Sequence, residues 1–264
     1  MRSKPLYVRM KFDGSDVVRI AVGCMSCCGA RNYHEDSFGF SSVQRADVKA
    51  NGFTAIVCDG MGGLGGGAQI SDYTVSAMLE IQKSRNRELP VHIHLSQALK
   101  TVNQSVITSG MKGGTTAALV FCLPNGIYWC TVGDSRIYLL SGKTLTALNE
   151  DSDYLNCLIE QVISGDMTYD DAGADSKRDS LAEYIGCKNG ITPDVNINPF
   201  VPKNGDKILI CSDGVYNALA GSELSGILAH NSAGEAADLI EAAVLSKRYA
   251  NQDNFTAIVL EFIK

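Results

Sequence analysis

Thr115-Thr116-Ala117-Ala118-Leu119-Val120-Phe121-Cys122-Leu123 runs into Pro124-Asn125-Gly126 and then into Ile127-Tyr128-Trp129-Cys130-Thr131-Val132. Both flanks are apolar, rich in β-branched residues and of strand length. The Asn-Gly step between them tolerates positive φ, so the stretch reads as a tight hairpin and implies antiparallel pairing. A second hairpin is expected at Ser141-Gly142-Lys143, after the run Arg136–Leu140. Val17–Val22, Phe53–Cys58, Lys207–Cys211 and Phe255–Phe262 are further strand candidates.

Helical periods fill the gaps. Ile70, Thr74, Ala77, Met78 and Ile81 share one helical face, as do Leu95, Leu99, Val102 and Val106, and Leu155, Leu158, Ile159 and Val162. Ser232-Ala233-Gly234-Glu235 reads as a capping box opening a helix that contains Leu239, Ile240 and Val244. Strands and helices come in batches, not in strict alternation. That pattern fits an α+β fold of two packed antiparallel sheets covered by helices. Trp129 falls in an alternating strand and is expected in the core.

The chain has 264 residues and a formal charge of -6, with 45% hydrophobic and 20% charged residues. It can bury a core, so disorder is excluded as the main state. The acidic balance argues against a nucleic-acid partner, although a local basic patch is compatible with it. No apolar run is long enough for a membrane span, and the first residues lack a signal-peptide core. The 9 cysteines are odd in number and scattered through apolar runs, which points to a reduced, cytoplasmic protein. No linker divides the chain, so one domain over residues 1–264 is expected.

Carboxylates recur just past buried strands. Ala55-Ile56-Val57-Cys58 leads into Asp59-Gly60, Thr131-Val132-Gly133 into Asp134-Ser135, and Ile208-Leu209-Ile210-Cys211-Ser212 into Asp213-Gly214. Any one of these is an ordinary turn. Together with Glu35-Asp36 and Asp253-Asn254 they suggest strand ends converging at one rim. Clustered buried carboxylates repel unless a cation neutralises them. With oxygen donors and no zinc-like His–Cys set, the expected cofactor is Mn²⁺ or Mg²⁺. Two such ions can share a bridging carboxylate and water, and a phosphate ester is the natural substrate. Arg31, four residues before Glu35, is either a phosphate fork or a surface ion pair. The run Gly60-Met61-Gly62-Gly63-Leu64-Gly65-Gly66-Gly67 lacks a P-loop ending, and its glycines would let backbone approach a metal.

These stretches resemble the metal-dependent protein Ser/Thr phosphatases of type 2C, in their compact bacterial form. Gly29-Ala30-Arg31-Asn32-Tyr33-His34-Glu35-Asp36 is similar to the first family motif and Val57-Cys58-Asp59-Gly60-Met61-Gly62-Gly63 to the second. Gly114-Thr115-Thr116-Ala117, Val132-Gly133-Asp134-Ser135-Arg136, Cys211-Ser212-Asp213-Gly214 and Asp253-Asn254-Phe255-Thr256 follow in family order. The resemblance implies a central β-sandwich with a helical layer on each outer face. It implies hydrolysis of phosphoserine and phosphothreonine in proteins, with a metal-bridging water attacking phosphorus in line. Asp59 would bridge two metals, with the Gly60 carbonyl on one. Asp213 and Asp253 would hold the first metal. Glu35 and Asp36 would hold the second, directly or through water. Asp134 would join Asp213 at a third, weaker site, and Arg31 would orient the phosphate. The resemblance implies phosphorylated proteins as substrates. The stand-alone length, with no kinase, membrane or sensory segment attached, suggests regulation by a separate partner such as a cognate Ser/Thr kinase; no membrane or nucleic-acid partner is expected, and a monomer is the expected state.

Departures from the family pattern bear on the same site. His34 replaces the usual Asn, either as a tolerated substitution or as a phosphate donor that tunes pH dependence. Met61 stands where animal relatives carry histidine, as in bacterial relatives. Asp151-Ser152-Asp153 replaces an Asp-His-Ser start, and Ile185-Gly186 a Leu-Gly. The segment from Asp151 to Ser180 carries Asp166, Asp170, Asp171, Asp175 and Asp179. It reads as a solvated excursion or as a flap governing substrate fit. Cys24, Cys27 and Cys28 lack the second half of a metal knuckle and read as strand-end thiols, with a redox-sensitive thiol as the alternative. Two other functions stand beside the leading one. They are a catalytically weak pseudophosphatase serving as a docking module, and a phosphatase for small esters.

Overall fold

The computed structural model describes residues 6–12, 17–61, 66–152, 154–175 and 180–264. Asp153 and Asp179, and residues 62–65 of the glycine run, lie outside the described residues.

The strands are β1 (Leu6–Lys11), β2 (Val17–Cys27), β3 (Ser37–Phe40), β4 (Phe53–Cys58), β5 (Gly60–Met61), β6 (Gly114–Thr115), β7 (Ala117–Leu123), β8 (Gly126–Val132), β9 (Arg136–Ser141), β10 (Thr144–Ala147), β11 (Asp194–Val195), β12 (Lys207–Cys211) and β13 (Phe255–Ile263). The helices are α1 (Arg45–Asn51), α2 (Gly66–Lys83), α3 (Val91–Ser109), α4 (Tyr154–Ser164), α5 (Tyr169–Ala174), α6 (Asp213–Tyr216), α7 (Gly221–His230) and α8 (Ala233–Ser246). One antiparallel sheet runs β1-β2-β13-β12-β9-β10 and a second runs β11-β8-β7-β4-β3. Among the described residues, no helix is long and apolar enough to cross a membrane.

Alternation along the strands builds the layers. In β4, Phe53, Ala55 and Val57 point into the core between the sheets, while Ile56 and Cys58 point out to α2 and α3. In β12, Ile208 and Ile210 join the inner core, while Leu209 and Cys211 join a third core under α7 and α8. Each central strand is therefore buried on both faces, which explains why these segments read as unbroken apolar runs. The layers are helix, sheet, sheet, helix, as expected. Trp129 lies in the inner core.

The hairpin prediction holds with one change. Leu123 pairs with Gly126, leaving Pro124 and Asn125 as the turn, and the positive φ falls on Gly126 alone (φ 134°). The second hairpin closes between Ser141 and Thr144, with Gly142 at φ 62°. The run starting at Thr115 is broken at Thr116, because Thr115 pairs with Gly60 and bridges to Ile185 instead of continuing β7. The predicted helical faces of α2 and α3 are the buried ones, with Ile70, Met78, Leu95 and Leu99 fully enclosed. In α4 only part of the predicted face is covered: Leu158 is buried but Ile159 is 45% exposed. Leu239 of α8 is likewise exposed, while Ile240 and Val244 are buried. At the start of α8, the Glu235 carboxylate accepts from the Ser232 hydroxyl (2.8 Å) and backbone N–H (3.2 Å).

The N-terminus of α8 presses directly on β2. A Cβ on Gly23 would stand 2.0 Å from the Ala233 carbonyl oxygen. Gly23→Ala should therefore cost about 1–3 kcal/mol, as overpacking does where backbone cannot retreat. A urea titration should show a lower midpoint at unchanged m-value.

Candidate metal centre

Local chain geometry carries acidic groups from both sheets to one end of the sandwich. Asp36 directly precedes β3, and Asp59 follows β4, whose Cys58 pairs with Ser37. Asp134 lies on the crossover from β8 in one sheet to β9 in the other. The bend there needs Gly133 at φ 93°, where a Cβ would strike Thr116. Asp213 opens α6 after β12, and Asp253 stands just before β13. A cavity of about 510 Å³ opens at this end, lined by Arg31, Glu35, Asp59, Gly60, Asp134, Asp213 and Asp253. Asp36 lies behind it, close enough for its charge to act on Asp59.

The chain holds these groups from behind. Thr116 N–H donates to the Asp59 carbonyl (2.8 Å), and Asp59 N–H donates to the Thr116 hydroxyl (2.9 Å). Thr116 Oγ1 also meets Ser135 Oγ at 2.6 Å. The break between β6 and β7 thus frees Thr116 to fix Asp59. Asn254 Oδ1 accepts from Glu35 N–H (2.7 Å), and its Nδ2 donates to the carbonyls of Cys28 and Tyr33. This amide ties the end of β2 to the acidic pair. The Glu35 carboxylate accepts from Gly67 N–H (3.1 Å) in the first turn of α2, where the helix dipole favours negative charge. A Cβ on Gly67 would collide with Gly60 and Met61, so only glycine permits this approach.

The electrostatics are those of crowded like charges. Burial, followed by the neighbouring aspartates, holds the Asp59 carboxyl well above the usual carboxylate range. Burial is also the leading cause for Asp36, pushed up to about 6, and for Asp134, pushed up to about 7, with the Asp213 charge adding to both. Asp213 is raised by burial and then by Asp253. Asp36 Oδ2 accepts from the Ser212 hydroxyl (2.8 Å), whereas its buried Oδ1 has no hydrogen-bond partner. Among the described residues, no three His, Cys, Asp or Glu side chains already form a closed ligand cluster. The donor set nonetheless fits a hard divalent cation. It is all oxygen, it runs from buried Asp36 out to half-exposed Asp253, it carries an unpartnered acceptor on Asp36, and Asp36, Asp59, Asp134 and Asp213 are each destabilised by neighbouring negative charge.

Arg31 lies at the mouth, half exposed, and Nη2 donates to Asp253 Oδ2 at 2.6 Å. His34 turns the other way. Its Nε2 meets Ser26 Oγ at 2.9 Å, and the ring is not part of the cavity wall. That position favours a tolerated substitution over a phosphate donor. Cys28, just past β2, donates its thiol to the Arg31 carbonyl (3.0 Å) and so sits at the edge of the site, whereas Cys24 lies within β2, paired with Ile258. The 8 cysteines whose side chains are described are all free. Sequence reasoning gave no site role to Asn32, Tyr33, Thr116, Leu181 or Asn254, all of which line the cavity. Thr116 and Asn254 lie inside family motifs, but nothing about their residue types signals the site. Leu181 arrives from the far end of the segment that begins at Asp151, whose ends are joined by Tyr154 N–H to the Ser180 carbonyl (2.8 Å). Asp166, Asp170 and Asp171 point to solvent.

The family model described as protein phosphatase 2C matches residues 28–242. The chain belongs to the protein phosphatase 2C family. It is 28% identical over 243 residues to a serine/threonine phosphatase stp of Listeria welshimeri, covering 88% of this chain and 91% of that one. Its fold superposes on a Streptococcus agalactiae serine/threonine phosphatase with a TM-score of 0.76 at 20% identity, over 93% of this chain and 100% of the other. It also superposes on the catalytic domain of the phosphatase PstP in complex with 2 manganese ions, with a TM-score of 0.68 at 20% identity, over 94% of this chain and 100% of the other.

Proposed function

We propose that this member of the protein phosphatase 2C family is a metal-dependent protein-serine/threonine phosphatase acting on phosphoserine and phosphothreonine. The observation that carries the reading is the convergence of Asp36, Asp59, Asp134, Asp213 and Asp253 from both sheets beneath Arg31. The family membership and the relatives' names support the same substrate class.

Asp59 would be shared between two ions, with the Gly60 carbonyl on one of them. Asp213 and Asp253 would complete the first position, Glu35 and Asp36 the second, and Asp134 with Asp213 a third. Mn²⁺ is the first ion to test, because a related fold is described with manganese, and Mg²⁺ is the second. When bound, such ions supply hydroxide near neutral pH and offset charge on the phosphoryl oxygens.

The chain's own groups do the rest. Thr116 and Asn254 hold Asp59 and the Glu35 segment at fixed backbone positions. Arg31 presents a planar fork at the mouth and orients the phosphate. Leu181 gives the wall an apolar patch, through which the segment from Asp151 to Ser180 acts on substrate fit. Residues 1–264 form a single catalytic domain, working in the cytoplasm on phosphorylated proteins opposite a Ser/Thr kinase.

The test is hydrolysis of a phosphothreonine peptide by metal-stripped protein, with Mn²⁺ and Mg²⁺ titrated back. Activity should return with metal and fall ~10²-fold or more in Asp213→Asn. Arg31→Ala should raise KM and lower kcat by roughly 10-fold while leaving metal affinity within about 3-fold, because a phosphate contact is lost but no ligand is. Folded protein that stays inactive with both ions would overturn this reading, and p-nitrophenyl phosphate would then separate a small-ester phosphatase, which hydrolyses it, from a docking module, which does not.

A further inference from the structure

At the opposite end of the sandwich, between β1 and α1, lies a second groove with a volume of about 680 Å³. Arg9 and Lys11 of β1 and Arg45 and Lys49 of α1 line it. All four are exposed, and no acidic partner within ion-pair distance is found for them among the described residues. The floor is apolar, made by Met10 and Val48, both almost fully buried. Pro124 at the tip of the β7–β8 hairpin closes one side.

The arrangement follows from local geometry. Arg45, Val48 and Lys49 are three and four residues apart and share one face of α1, whereas Asp47 falls on another. On β1, Val8 and Met10 alternate inward against exposed Arg9 and Lys11. β1 is also the outermost strand of its sheet, so one row of its backbone groups is unpaired within the sheet. Arg9 pairs with Arg19, and from there β2 runs on to Cys27 beside the acidic cavity. At ~3.3 Å per residue the groove is roughly 25 Å from the metal centre, too far to touch a phosphate bound there.

The geometry points to a docking site for an acidic segment of a partner protein, with an apolar side chain packed against exposed Pro124 and the aliphatic stems of the basic residues, over the floor of Met10 and Val48, and with carboxylates held by Arg9, Lys11, Arg45 and Lys49. Charge complementarity selects the occupant: four cations with no ion-pair partner among the described residues gather in a chain whose formal charge is -6. The same net charge disfavours a flat anionic membrane, which would meet the acidic remainder of the surface as well as the groove. A concave apolar floor suits a protruding side chain better than the uniform backbone of a nucleic acid.

The probe is a short fluorescein-labelled peptide of glutamates around one phenylalanine, read by fluorescence anisotropy against the whole protein. Its controls carry glutamine for the glutamates or alanine for the phenylalanine. The glutamate–phenylalanine peptide should bind best. Its affinity should fall at least ~10-fold in Arg45→Glu/Lys49→Glu, as expected when two exposed contacts turn from attraction to repulsion. It should fall similarly when ionic strength rises from about 0.05 to about 0.3 M. Hydrolysis of p-nitrophenyl phosphate by the same variant should match the parent. Arg45→Gln/Lys49→Gln serves as a milder second variant, with circular dichroism checking the fold of both. Equal binding of the glutamine control, or unchanged affinity in both variants, would overturn the proposal. So would tighter binding of oligothymidylate or phosphatidylglycerol vesicles that the same substitutions abolish.

Discussion

Asp59→Asn should lower kcat on a phosphothreonine peptide by ~10³-fold or more, since it removes the charge proposed to be shared by two ions. The same substitution should make the metal-stripped protein more stable, on the order of 2 kcal/mol, because it removes one of several mutually repelling buried carboxylates. The backbone that carries residue 59 is held by Thr115 and Thr116 and does not depend on the carboxyl group. Denaturant melts and steady-state kinetics on one preparation give both numbers. A gain in stability with loss of activity is the signature of a site strained by its own charge. A loss of both would mean that the Asp59 carboxylate is a structural element. Retained activity would remove it from the chemistry altogether.

The second large effect concerns pH. Asp36 is pushed up to about 6 and Asp134 to about 7, both from an ordinary value of 3.8. A carboxyl group raised in the fold is easier to ionise after unfolding. Stability contributed by its protonated form is therefore complete below about pH 4 and is lost as pH rises through 6 to 7. The expected loss is on the order of a few kcal/mol for the two groups together across that window. For a chain of this size that is on the order of 10 °C in melting midpoint. Mn²⁺ binds the ionised form, so its stabilising effect should be small near pH 5 and large near pH 8. Melting curves of stripped protein across this range, with and without Mn²⁺, measure the difference directly. A metal-induced shift that does not grow with pH would separate the ion from these carboxylates.

Much of the fold was legible because burial on both faces writes itself into composition. β4, β7, β8 and β12 appear as continuous apolar runs since each packs against the opposite sheet on one side and helices on the other. The helical faces of α2 and α3 were legible for the same reason. Ile159 and Leu239 were not, because periodicity marks a stripe but not how wide a neighbour covers it. β3, β5, β6 and β11 are too short, or too mixed in composition, to register. Their existence depends on pairing partners far away in the chain, as Thr115 shows by pairing with Gly60 and bridging to Ile185.

The candidate site divides along the same line. The acidic residues and Arg31 could be named from sequence because carboxylates placed after apolar strands are chemically conspicuous. Their supports could not. Thr116, Asn254 and Ser212 are common polar residues whose hydrogen bonds to Asp59, Glu35 and Asp36 span from 57 to 219 positions of sequence. The basic groove was equally hidden, since Arg9 and Lys11 come from one strand and Arg45 and Lys49 from a helix beyond two further strands.

The sequence by itself determined which residue types could bind a hard cation, which segments would be buried, and the family whose motifs they follow. Only the tertiary structure decided that both sheets deliver their acids to one end, that His34 faces Ser26 and not the cavity, and that four cations meet at the other end. The physical reason is range. Burial and backbone preference act between near neighbours and leave a periodic trace, whereas charge proximity depends on which distant strands pair.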